Sequence, residues 1–155
     1  MRAKNIFFLI FIGIFFVSCA KTGLNRSKSA IFTIKSPLIK INDAGFIDFG
    51  KKKIRLQIYN SGVGLFEMDI KDKICYNGIC EDEIKFNEKF FKFKHYRGFF
   101  KDILAKKPIY NAKNLIKTEC GFRQEVINLQ YEICNKKISF NDKKNEIKII
   151  IKEMD

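Results

Sequence analysis

The sequence predicts a mainly β domain with short helices, of the α+β class, in which an antiparallel meander is covered by a central helical segment. Three observations predict it. Runs at 53–59, 66–71, 127–133 and 147–151 alternate apolar and polar residues with period two, the mark of strands with one buried face. Asn77-Gly78, between two short runs, is the strongest two-residue hairpin signal. The stretch 86–104 changes to gaps of three and four between apolar residues, which is helical spacing.

The chain has 155 residues, enough for one domain. With 46% apolar and 14% aromatic residues it is far too apolar for a disordered chain. The spacing divides it into a signal peptide (1–18), a Cys with a polar tether (19–29) and a single β-rich domain (30–155). Arg2 and Lys4 make a positive start, and Ile6 to Val17 then runs without a polar side chain. These twelve residues span about 18 Å as a helix, against the ~30 Å that a membrane crossing needs. This is signal-peptide length and polarity. Lys21 to Ser29 is polar and reads as a tether.

Within the domain, Ile31 to Ile41 is a pair of extended segments around Pro37, and Gly45 to Gly50 reads as a turn. Ile54, Leu56 and Ile58 alternate with Arg55, Gln57 and Tyr59. After Asn60-Ser61-Gly62-Val63-Gly64, Phe66, Met68 and Ile70 alternate with Glu67, Asp69 and Lys71, which makes a hairpin. In the middle stretch the apolar positions are Phe86, Phe90, Phe93, Phe100 and Leu104. Asn87 can cap its start, Gly98 breaks it into two short helices, and Pro108 ends it. Ile127, Leu129, Tyr131 and Ile133 form the next strand. Ile138 and Phe140 follow, then a turn at Asn141-Asp142-Lys143 and a last strand on Ile147, Ile149 and Ile151. The Phe-rich stripe reads either as a greasy lid over a lipid cavity or as an ordinary helix face packed on a sheet.

Apart from Cys19, four cysteines remain: Cys75, Cys80, Cys120 and Cys134, which allow three connectivities. If Asn77 and Gly78 form the loop, Cys75 faces Cys80 at a non-hydrogen-bonded site, within disulfide range. Cys120 and Cys134 then make the second bridge. Free thiols are the alternative. A metal site would want His or further close Cys pairs, and His95 is the single His.

The formal charge is +13, yet only five of the 30 basic residues are Arg and the lysines are scattered among acids. Nucleic-acid readers favour Arg forks, so no nucleic-acid partner is expected. A solvated Lys-rich face or attraction to anionic headgroups accounts for the charge. His95 sits in a Phe-rich segment without a nucleophile motif, so no catalytic residue, no cofactor and no enzymatic activity are assigned.

Val17-Ser18-Cys19-Ala20 resembles the lipobox of bacterial lipoproteins. An ordinary signal peptide with an incidental Cys, or an uncleaved anchor, is the alternative. The resemblance implies a diacylglyceryl thioether and further acylation (palmitate) at Cys19, hence attachment to a membrane through acyl chains. Ala20, where Asp would retain such a protein, implies an outer-membrane anchor, with the domain on the periplasmic or surface face. More faintly, the order meander, short helical insert ending in Pro, further strands resembles LolA/LolB-type lipoprotein carriers, and Phe99 to Ile109 is similar to their helix-then-strand segment. That resemblance implies a half-barrel whose concave face holds acyl chains. Leu56, Ile58, Phe66 and Met68 would line it opposite Phe90, Phe93 and Phe100, and Val63 or Leu65 would tip a membrane-contact loop. Two function classes follow: a non-enzymatic envelope lipoprotein handling lipid or lipoprotein acyl chains, or a structural or interaction lipoprotein with a filled core that binds an envelope partner or a host surface.

Overall fold

The structure, a computed structural model, describes residues 24–154. Cys19, the signal peptide and the first part of the tether lie outside them. Eleven strands form one antiparallel sheet: β1 (Leu24–Lys35), β2 (Lys40–Gly50), β3 (Ile54–Asn60), β4 (Val63–Ile70), β5 (Ile74–Tyr76), β6 (Ile79–Glu81), β7 (Leu115–Thr118), β8 (Gly121–Val126), β9 (Leu129–Cys134), β10 (Lys137–Asp142) and β11 (Ile147–Glu153). Their order across the sheet is β6-β5-β4-β3-β2-β1-β11-β10-β9-β8-β7. The sheet is thus two meanders joined where β1 pairs with β11, from Ala30↔Glu153 to Lys35↔Lys148.

Helices α1 (Glu83–Phe91) and α2 (Phe99–Leu104) and a 3-10 turn (Tyr110–Ala112) occupy the connection between the meanders. Asp82, rather than Asn87, caps α1 by accepting the Ile84 N–H at 2.9 Å. Asn87 is buried inside the helix, where its amide donates to the carbonyls of His95 and Tyr96. Gly98 does separate the helices: it precedes α2 at φ 86, a conformation that suits Gly. The helical rings meet both meanders. Phe86 lies 5.6 Å from Tyr76 on β5, and Phe91 and Phe99 lie 5.7 and 5.8 Å from Phe140 on β10.

Period-two alternation does what it predicts on β3, β4, β9 and β11, where Ile54, Leu56, Ile58, Met68, Tyr131 and Ile149 are buried. Four strand and turn readings are corrected. The turn expected at Asn141-Asp142-Lys143 begins only after Asp142, since Asn141 and Asp142 still pair with Lys148 and Ile147. The stretch Leu24–Ser29 is strand, not tether: backbone pairing with Phe46–Gly50 of β2 holds it, which needs no apolar side chains. Gly45 to Gly50 is strand, not turn. Gly45 is buried, and a Cβ there would lie 2.1 Å from the Gln57 carbonyl oxygen, so the residue serves close approach of β2 to β3. Ile127 is not in β9 but in the turn before it.

Cys75 pairs with Cys80 across the Asn77-Gly78 hairpin, and Cys120 with Cys134 at the start of β8 and end of β9. The bridges span 5 and 14 residues. Loop-closure entropy then gives about 2 and about 3 kcal/mol respectively. Replacing Cys120 and Cys134 together by Ser is therefore expected to lower the denaturant-derived unfolding free energy more than replacing Cys75 and Cys80, with equal losses contradicting the assignment.

Candidate functional site

The inner face of the sheet and the helical connection build one apolar cluster. On β3 and β4, Leu56 pairs with Met68 and Ile58 with Phe66, so all four point to the same side. They are buried in that cluster together with Phe90 and Phe100. The rings of Phe86, Phe90 and Phe100 stack on one another at 5.1–5.8 Å. Such offset and tilted aromatic packing is favourable beyond its area. The structure therefore brings six of the seven expected lining residues together, packed against each other. Phe93 is the exception: it is 55% exposed, just past the end of α1, where Lys92 turns left-handed at φ 56.

The expected contact loop is the β3–β4 hairpin. Its turn is Ser61-Gly62, and Val63 and Leu65 project at 65% and 44% exposure. A register shift after Ile58 leaves Leu65 as the extra residue of a bulge, which re-aims it. A groove of about 490 Å³ lies beside the tip, lined by Tyr59, Leu65, Asn77 and Gly78 among others. Exposed Phe46 packs edge-on against Tyr59 at 6.2 Å on the outer face.

A second constellation escaped the sequence. His95 is buried, stacked on Phe99 at 3.8 Å between ring centroids, with Nδ1 2.5 Å from the Tyr110 hydroxyl. Its Nε2 and the Oδ1 of Asn87 are the buried side-chain polar atoms without a hydrogen-bond partner among the described residues. Tyr110, Asn111 and Ala112 all have φ between 48 and 60, a left-handed turn that costs L-residues about 1 kcal/mol or more each. Gln124 holds this turn in place. Its Oε1 accepts the Ile109 N–H, and its Nε2 donates to the carbonyls of Ile109 and Lys113. The signal for Gln124 was there: it breaks the apolar phase of Phe122 and Val126 at an inward position.

Burial pushes the His95 imidazole down to about 4, against an opposing effect from buried Asp142. The ring is neutral at neutral pH. Among the described residues no group of three or more His, Cys, Asp or Glu side chains can hold a metal, and no helix is long and apolar enough to cross a membrane. No protein-family model matches the chain, and no curated protein matches it either.

The His95 shift fixes a pH dependence. An unfolded His titrates near 6.5, so between 6.5 and about 4 the unfolded chain binds a proton that the folded one refuses. This part of the stability is complete above pH 6.5 and is lost as the pH falls toward 4. Going from pH 7 to pH 5 is expected to cost about 2 kcal/mol, and His95→Gln is expected to flatten the profile in that window. An unchanged slope in the variant would refute the assignment.

Proposed function

We propose that the chain is a non-enzymatic, membrane-anchored envelope lipoprotein whose inner sheet face takes lipid or lipoprotein acyl chains beneath the helical connection, in the manner of LolA/LolB-type carriers. One observation carries the reading. The face that the strands turn inward is apolar across both meanders apart from Gln124 and Asp142, and a short aromatic segment rather than a second sheet packs on it. The order of elements supports it, since the helical insert joins β6 to β7, the two edge strands of the sheet. We read the sheet as a half-barrel and α1 and α2 as its cover, with Phe90 and Phe100 standing where acyl chains would enter. The anchor in this reading is Cys19, acylated after signal-peptide removal and placing the domain on the outer membrane, and the exposed Val63 and Leu65 meet the bilayer.

The mutual packing of Leu56, Ile58, Phe66, Met68, Phe90 and Phe100 favours the second reading, an interaction lipoprotein with a filled core. Mass spectrometry of the chain recovered from membranes separates the two. An acyl adduct on Cys19 together with lipid released by organic extraction of the folded domain is the expected result. The adduct without co-purified lipid leaves the interaction reading, and unmodified Cys19 removes the anchor.

A further inference from the structure

The two ends of the sheet differ in chemistry. Every pairing is antiparallel, so alternate turns share an end. The turns at 51–53, 71–73, 119–120 and 135–136 lie at the end where β1 begins. Apart from disulfide-bonded Cys120, their residues are Lys, Asp, Glu and Asn. The turns at 36–39, 61–62, 77–78, 127–128 and 143–146 lie at the other end. In or beside four of them stand exposed apolar side chains: Leu38, Val63, Ile79 and Ile127.

Ile127 is the most telling. It is 93% exposed and therefore adds nothing to the core. It also has φ 58, a conformation unfavourable for a β-branched residue and natural for Asn or Gly. Neither packing nor backbone geometry accounts for Ile at this position.

Lysines stand beside two of these tips, Leu38 and Ile127. Lys148, Lys35 and Lys40 sit side by side on β11, β1 and β2, held directly opposite one another by the strand register. Lys143 and Lys144 occupy the neighbouring turn. Like charges in register repel, and Glu146 answers only in part, through its ion pair with Lys35 at 3.2 Å.

We propose that this end of the sheet seats on an anionic lipid bilayer, with Ile127 and Leu38 entering the headgroup region and the lysine row pairing with lipid phosphates. The arrangement favours a bilayer over a protein. Single apolar side chains on separate turns, with a basic row beside Leu38 and Ile127, suit an interface that is soft and negatively charged. A protein partner needs one contiguous patch that desolvates as a unit. The inference extends the contact proposed for the Val63–Leu65 hairpin to the other half of the sheet, and it does not require the inner face to hold acyl chains.

The chain contains no Trp, so Ile127→Trp in the full chain places a single reporter at this turn. Strand β1 enters at the opposite, polar end, and its 12 residues span about 40 Å. Attachment through the N-terminal region alone therefore leaves the reporter away from the bilayer. With vesicles containing about one-third phosphatidylglycerol, the indole is expected to shift to the blue and lose about half its emission to lipids brominated on their acyl chains. A matching reporter at the polar end, Lys52→Trp, should stay solvent-exposed. Quenching should weaken sharply in pure phosphatidylcholine or in high salt. Ile127→Asn should melt at or above the parent while binding vesicles more weakly. A water-exposed indole at 127 on vesicle-bound protein overturns the proposal, as does equal quenching in neutral and anionic vesicles. Co-purified acyl lipid without quenching at 127 would leave the carrier reading intact and remove this one.

Discussion

The pairing of β1 with β11 is the constraint on which the rest depends. It is the strand pairing that joins residues from opposite ends of the described chain, such as Ala30 with Glu153, whereas the other pairs join neighbours in sequence. Closing so long a loop costs entropy before any contact repays it. Local chemistry compensates at the seam. Phe32, Ile34, Ile149 and Ile151 are buried along it. Glu153 receives Lys28 from β1 and Lys106 from just beyond α2, at 2.5 and 2.8 Å. Burial works against ionisation of Glu153, but the two lysine hydrogen bonds outweigh it and keep the carboxyl below the usual range. One carboxylate therefore ties β1, β11 and the exit of the helical segment together.

Because the seam holds, two meanders share one inner face. The helical segment lies between them in sequence and touches both in space. Its polar ties are specific: Glu83 Oε2 accepts the Gly98 N–H at 2.6 Å, the Tyr131 hydroxyl donates to the Ile103 carbonyl, Lys106 reaches Glu153 and the Asn135 carbonyl, and Gln124 grips the turn that carries Tyr110. Helices of nine and six residues have little stability of their own. Their order comes from rings stacked on the sheet and on each other. These contacts are apolar, as an acyl chain is, so the proposed carrier reading is compatible with the packed state.

Much of this was legible in the residues because it is local. The alternation of Ile54, Leu56 and Ile58, the Asn77-Gly78 turn with Cys75 facing Cys80, and the break at Gly98 are each set by a few adjacent positions. What the sequence hid depends on partners far away. Leu24–Ser29 carries strand backbone without strand side chains, and only β2 makes it a strand. Gly45 resembles a turn residue until Gln57 is seen passing close by. Strand β8 was obscured because Gln124 faces inward to bind backbone, which disguises its alternation. Ile127 continues the phase of Leu129 and Tyr131 on paper, whereas its backbone turns left-handed and carries it into solvent. For the candidate site, the cluster of Leu56, Ile58, Phe66, Met68, Phe90 and Phe100 could be assembled from periodicity. The buried His95–Tyr110 pair could not, because it rests on a strained turn that has no sequence signature.

The carrier proposal makes the helical segment a displaceable cover on a stable sheet. Amide hydrogen exchange with and without a long-chain fatty acid tests it directly. The account predicts that amides of α1 and α2 open at a lower free energy than those of β1 and β11, and that the fatty acid alters exchange in 83–104 while leaving the β1–β11 seam unchanged. Exchange of helices and seam in one global event, indifferent to the fatty acid, would contradict it.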